Sequence, residues 1–193
     1  MILIIDNNTR FIKQICSLLE KKGFGYKIKD FRKVKLEDTK RVNAVILSGG
    51  IGIRYIDNSK EFLREANLVK KTKLPLFGIC LGFEVICHAY GAKIKEMPHL
   101  EKGIIKIKIK KKDDIFRNCP KEMRIFEDHE WDIVKVGKNL EVLAKSKDGI
   151  EAVKHRRKPI YGVQFHPEIT KNNQGYKVLE NFLKMIKSRK NKI

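Results

Sequence analysis

Four cysteines stand at positions 16, 80, 87 and 119, and no two of them form a CxxC pair. That leaves neither a zinc-ligand spacing nor a disulfide framework to read. Apolar runs are short: Ile2-Leu3-Ile4-Ile5 stops at Asp6 and cannot supply a signal-peptide core or a membrane span. Aromatics are few, 8% with one tryptophan, and none interleave with basic residues as a nucleic-acid stacking surface would need. Acidic residues are scarce beside basic ones, 23 against 43, for a formal net charge of +20. These absences predict reduced thiols in a cytoplasmic protein with no metal, no cofactor and no membrane partner.

The positive surplus is not concentrated in a binding motif. Lysines run through the whole chain and alternate with isoleucine in Ile104-Ile105-Lys106-Ile107-Lys108-Ile109-Lys110. That pattern describes a half-buried strand with a solvated lysine face. It fits a general surface bias of the kind found in heat-adapted proteins better than a nucleic-acid site. With 42% hydrophobic and 34% charged residues, residues 1–193 are expected to form a single domain around a full core.

Strand and helix patterns alternate through the first half. Strands are predicted at 2–5, 26–29, 42–47 and 76–79. Helices follow from Phe11, Ile12, Ile15, Leu18 and Leu19, closed by Gly23, and from Phe62, Ala66 and Val69 within 58–71. Asp6-Asn7-Asn8-Thr9 is a turn able to cap the first helix. This alternation implies a mainly parallel sheet covered by helices on both faces. The second half reads as shorter, partly antiparallel strands at 104–110, 123–126, 132–136, 140–146 and 150–154, forming a smaller sheet. Ile160–Phe165 is another strand, Tyr176–Ile186 a closing helix, and the lysine-rich tail is expected to fray.

Chemistry gathers where two strands end. Leu76-Phe77-Gly78-Ile79 runs into Cys80, then Gly82 and the helical spacing of Val85, Ile86 and Ala89. Strand, Gly-x-Cys-x-Gly turn and helix make a nucleophile elbow with sulfur in place of oxygen. A thiol there sits in the positive potential of a helix N-terminus, which favours the thiolate. A free cysteine is more often a packing residue, so the elbow needs a base. His166 follows another strand, and Glu168, two residues on, can hold its second ring nitrogen. Strand ends of a parallel sheet share one edge, so Cys80 and His166 can meet. Ser48-Gly49-Gly50 ends a third strand, where the Gly50 N–H, with that of Leu81, can form an oxyanion hole. The chain has no Walker lysine motif and no GxGxxG. Of the other histidines, His88 reads as partly buried, His99 and His155 as surface residues, and His129 as part of a polar loop bordering the site beside Trp131.

Gly78-Ile79-Cys80-Leu81-Gly82 and Gly162-Val163-Gln164-Phe165-His166-Pro167-Glu168 resemble the two most specific motifs of the class I (triad) glutamine amidotransferases, in order and separation. The resemblance spans nearly the whole chain. Glu151-Ala152-Val153-Lys154-His155, Pro159-Ile160-Tyr161-Gly162 and Asp114-Ile115-Phe116 are most similar to the subgroup that forms the separate glutaminase subunit of archaeal GMP synthetases. The resemblance implies a flavodoxin-like α/β fold. It implies hydrolysis of L-glutamine through a Cys80 thioester, and ammonia passed to a separate ATP-pyrophosphatase synthetase subunit. Cys80, His166 and Glu168 would be the triad, Gly50 and Leu81 the oxyanion donors. Gly49, Glu84, Asp128 and His129 are candidate substrate-binding positions.

The chain departs from that pattern at several points. Phe83-Glu84 stands where the family usually has His-Gln. A charged Glu84 at about 4 Å would repel a substrate α-carboxylate by up to roughly 4 kcal/mol at an effective dielectric near 20, or it could grip the α-ammonium. Ile51 replaces the proline after Ser-Gly-Gly. Asn8-Thr9-Arg10-Phe11 and Asp128-His129-Glu130-Trp131 replace the subgroup's Gly-Gly-Gln-Tyr and Ser-His-x-Asp. Three other readings therefore stay open: an amidotransferase component for another acceptor of the anthranilate synthase type, a stand-alone γ-glutamyl hydrolase, and a catalytically weakened regulatory relative.

Overall fold

The apolar run at the N-terminus becomes β1 (Ile2–Asn7), whose alternate side chains are buried on opposite faces of a sheet. Ile2 and Ile4 join one core cluster, Leu3 and Ile5 the other. Burial on both faces explains why the strand is a continuous apolar run rather than an alternating one. In this computed structural model, residues 1–50 and 60–190 are described. The Ile51-Gly52-Ile53 departure lies outside them, as do residues 58 and 59 of the second predicted helix.

The chain continues through α1 (Ile12–Lys21), β2 (Tyr26–Asp30), β3 (Ala44–Gly50), α2 (Lys60–Lys71), β4 (Leu76–Ile79) and α3 (Leu81–Ala89). Next come β5 (Lys93–Ile109), β6 (Glu122–Lys135), β7 (Leu140–Lys145), β8 (Ile150–His155), β9 (Ile160–Val163) and α4 (Tyr176–Lys190). α1 and α4 cover one face of the sheet, α2 and α3 the other. Asp6 and Thr9 do not cap α1. They brace the preceding turn, with Asp6 Oδ1 accepting from Thr9 N and the Thr9 hydroxyl from Phe11 N.

Among the described residues the nine strands form one sheet, ordered β2-β1-β3-β4-β9-β8-β7-β5-β6. The first five are parallel and the rest antiparallel. The smaller sheet expected from sequence is thus not separate. It continues the parallel sheet through β8, which pairs antiparallel with β9. The junction at β5 and β7 is narrow, held by Lys108 opposite Lys145 and Ile109 opposite Ala144.

The largest departure from the sequence reading is the β5–β6 ribbon. β5 begins at Lys93, eleven residues before the predicted strand, and β6 joins the two predicted strands at 123–126 and 132–136 into one. Its far half reaches beyond the sheet and folds Ile94, Trp131 and Ile133 against the α3 side of the core. α4 also continues past Ile186 to Lys190, through residues expected to fray.

Candidate active site

β4 and β9 lie side by side and parallel, with Gly78 opposite Gly162 and Ile79 opposite Val163. Cys80 and His166 leave the same edge of the sheet from neighbouring strands. The Cys80 N–H donates to Val163 O at 2.9 Å, locking the elbow onto the end of β9. Cys80 has φ 49° and ψ −109°, a conformation costly for a residue with a Cβ. The elbow glycines contribute space instead. A Cβ on Gly78 would meet Gly82 O at 2.5 Å, and one on Gly82 would meet Leu47 O at 2.4 Å. Strand, turn and neighbouring strand are packed backbone to backbone, which forces Cys80 to carry the turn's unfavourable torsion.

His166 is 4% exposed and its Nδ1 lies 2.8 Å from Glu168 Oε1. Its backbone N–H donates to Phe126 O and its carbonyl accepts from Asn173 Nδ2 at 2.7 Å. Phe11 packs edge-on to the imidazole, centroids 5.0 Å apart. Burial opposes protonation of this ring, but the Glu168 charge, the Cys80 charge and hydrogen bonds with both outweigh it, raising His166 well above its ordinary value. Cys80 and His166 converge over Gly49: a methyl group there would lie 3.0 Å from His166 Cε1 and 3.5 Å from Cys80 Cβ. The three predicted triad residues are thus brought together, and Gly49 makes room for their meeting.

The site opens into a cavity of about 340 Å³ lined by Gly50, Cys80, Leu81, Glu84, Asp128, His129 and His166 among others. Leu81 is the first residue of α3, where a helix N–H has no acceptor within its own helix. Gly50 lies against it: a Cβ on Gly50 would stand 2.6 Å from Leu81 Cδ2 and 2.4 Å from Asn7 O. Both backbone groups therefore border one space beside the sulfur.

Glu84 lines the cavity from α3. It is 4% exposed, and burial pushes its carboxyl up to about 7, partly opposed by a hydrogen bond from Gln164 Nε2. Near neutral pH it is therefore divided between acid and carboxylate. Asp128 and His129 come from β6, not from a loop as the sequence suggested. The Asp128 carbonyl faces Cys80 Sγ at 3.9 Å, and its carboxylate is paired with Arg10.

His129 is buried between Glu101 and Glu127, with Nε2 at 3.4 and 3.3 Å from their carboxylates and Nδ1 at 3.0 Å from Trp131 O. Burial disfavours its charge, but hydrogen bonds with Glu101 and Glu127 raise it to about 12. The ring is an imidazolium that donates from both nitrogens. Glu151 lies against Glu127, and burial together with that neighbour's charge holds its carboxyl well above the ordinary range. His155, expected on the surface, is buried, accepting the N–H groups of Arg157 and Lys158 at Nδ1 and packing on Tyr90. His88 is half-buried and His99 exposed, as their surroundings in the sequence suggested.

Sequence reasoning left Arg10 and Asn173 without a role at the site. The only advance signal was that Arg10 falls in the turn after β1, at the same sheet edge as Cys80.

A fold of this kind with a cysteine elbow facing a His–Glu pair has many counterparts. The sequence profile of the class I glutamine amidotransferases matches residues 3–186. The chain is 36% identical over 188 residues to the glutamine-hydrolysing GMP synthase subunit of Methanocaldococcus jannaschii, covering 96% of this chain and 97% of that protein. The protein of the same name from Pyrococcus abyssi is 35% identical over 188 residues, with 96% and 98% covered. The crystal structure of the corresponding GMP synthase protein from Thermoplasma acidophilum superposes with a TM-score of 0.89 at 24% identity, covering 98% of this chain and 95% of that one. The chain belongs to the class I glutamine amidotransferases.

Proposed function

We propose that this chain is the glutamine-hydrolysing subunit of a two-subunit GMP synthetase, with Cys80, His166 and Glu168 as its triad. The observation that carries the reading is the meeting of Cys80 with a protonated, Glu168-held His166 at adjacent carboxyl ends of β4 and β9. The Cys80 thiolate attacks the side-chain amide carbon of glutamine. The tetrahedral oxyanion rests on the Gly50 and Leu81 N–H groups, each such donor contributing about 3 kcal/mol. His166 gives its proton to the departing nitrogen, ammonia leaves, and a γ-glutamyl thioester remains. Water, deprotonated by His166, then releases glutamate and regenerates the thiol. Glu168 holds the imidazole and stabilises its charge, as the carboxylate of a serine protease triad does. No ATP-binding motif accompanies this site in the sequence, so the acceptor is activated by a separate ATP-using subunit. The names of the relatives from Methanocaldococcus jannaschii and Pyrococcus abyssi support GMP as its product.

Covalent labelling by the diazoketone analogue of L-glutamine, read by intact mass and peptide mapping, tests the site. One adduct on Cys80, blocked by glutamine and absent in Cys80→Ala, is expected. No adduct while iodoacetamide still reaches Cys80 would remove glutamine as substrate. Glutamine-dependent GMP formation after mixing with an ATP-dependent GMP synthetase subunit tests the acceptor. Synthesis with free ammonia but none with glutamine would assign the ammonia elsewhere.

A further inference from the structure

The mouth of the cavity holds an ion pair that the triad does not use. Arg10, in the turn between β1 and α1, reaches across to Asp128 on β6. Arg10 is half-exposed and Asp128 is 7% exposed at its side chain. Both line the same cavity as Cys80 and Glu84. Their separation from the sulfur suits an amino-acid head group. Asp128 O is 3.9 Å from Cys80 Sγ, so the Asp128 side chain starts within one residue of the nucleophile. In glutamine, three bonds of roughly 1.5 Å separate the reacting δ-carbon from the α-carbon, placing the α-groups about 4 Å further on.

Both signs of charge are therefore present where a zwitterion would lie. The pair can also open without stranding Asp128, because Lys102 Nζ already stands 3.9 Å from the same carboxylate oxygen. An arginine offers a planar fork of donors matched to a carboxylate, which a lysine cannot reproduce. The turn that carries Arg10 is itself fixed, by the Asp6–Thr9 and Thr9–Phe11 hydrogen bonds and by Phe11 packing on His166.

We infer that Arg10 is the specificity residue for the substrate's α-carboxylate, exchanging its ion pair with Asp128 for one with the ligand and leaving Asp128 to receive the α-ammonium. This rests on the glutaminase reading of the same site. It makes substrate binding an exchange of one ion pair for two, in a cavity that is closed at its mouth when empty.

The test compares two probes of Cys80: the diazoketone analogue of L-glutamine as the free acid and as its methyl ester, which lacks only the carboxylate charge. Adduct formation is followed by intact mass in the full-length chain, with iodoacetamide as a measure of sulfur access. In the wild type the acid should react at least tenfold faster than the ester. Arg10→Ala should slow the acid at least tenfold, change the ester less than threefold and leave iodoacetamide unaffected. Arg10→Lys should recover part of the preference for the acid. Equal slowing of both probes, or of neither, would overturn the role of Arg10 while leaving the glutaminase reading intact. A wild-type protein that iodoacetamide alkylates but the acid does not label would overturn both.

Discussion

Glu84 accepts a hydrogen bond from the Gln164 side chain at 2.8 Å, joining the first turn of α3 to the residue that follows β9. One carboxylate oxygen is occupied on the protein side while the residue still lines the cavity. With its carboxyl raised to about 7 by burial, Glu84 gains charge over the pH range in which the enzyme works. Glu84→Gln keeps an oxygen for Gln164 and removes that charge. We expect KM for glutamine to rise about three- to tenfold at pH 8 with kcat nearly unchanged, and the effect to vanish at pH 6, where wild-type Glu84 is protonated. That pattern is the loss of a ground-state contact to the α-ammonium. A fall in KM at pH 8 would instead show that the charge repels the substrate.

Two neighbouring glycines separate site from scaffold. Gly49→Ala places a methyl 3.0 Å from His166 Cε1. The ring must give way, and a misplaced base costs roughly a hundredfold in rate. kcat should fall by about that much with little change in melting temperature. Gly50→Ala meets backbone, Asn7 O at 2.4 Å. There the main chain has to move, and denaturant titration should show a loss of about 2 kcal/mol or more, in the range of overpacked cores.

The strained elbow predicts a trade between stability and activity. Cys80→Gly removes the Cβ that makes φ 49° costly and abolishes the nucleophile. Relief of about 1 kcal/mol, from the range for such backbone strain, should raise the melting temperature by roughly 2–4 °C for a chain of this size. Calorimetry on the inactive variant checks it. An unchanged or lower transition would mean the side chain's packing outweighs the strain.

Buried carboxyls set the pH dependence of stability. Glu65 is buried, accepts from Asn7 Nδ2 at 3.1 Å, and burial raises its carboxyl to about 7. Unfolded, it ionises near its ordinary value of 4.5. Between those values the native state holds the extra proton, so the contribution is complete below 4.5 and is lost as pH rises toward 7. Glu84 acts with the same sign. Urea denaturation should therefore show greater stability at pH 5 than at pH 8. Glu65→Gln should shrink the difference, by on the order of 3 kcal/mol at about 1.4 kcal/mol per pKa unit. An unaltered pH profile would mean that the native carboxyl ionises normally.

What the sequence made legible is local. The elbow, the His-Pro-Glu segment and the first four strands each announce themselves within a few residues, through glycine spacing or a run buried on both faces. The near half of β5 was visible for the same reason: Ile105 and Ile107 point inward while the lysines face water. Its far half, Lys93–Lys102, is largely exposed and carries no alternation to read. The single sheet depends on pairing between distant segments. The acid cluster around His129 was hidden because buried Glu101, Glu127 and Glu151 contradict the rule that such residues face solvent. Arg10 was missed because its partner lies 118 positions away, at Asp128.

The sheet ends in two open edges, β2 and β6. An uncovered edge is a template for another chain, and β2 presents a half-exposed Ile28 there. Lys27 and Lys29 flank it in sequence, while exposed Arg124 and Lys135 mark β6. The surplus of positive charge thus serves colloidal stability. Two copies approaching edge to edge would bring like charges together before any strand could pair, so the same lysines that give no nucleic-acid motif keep the open sheet from growing.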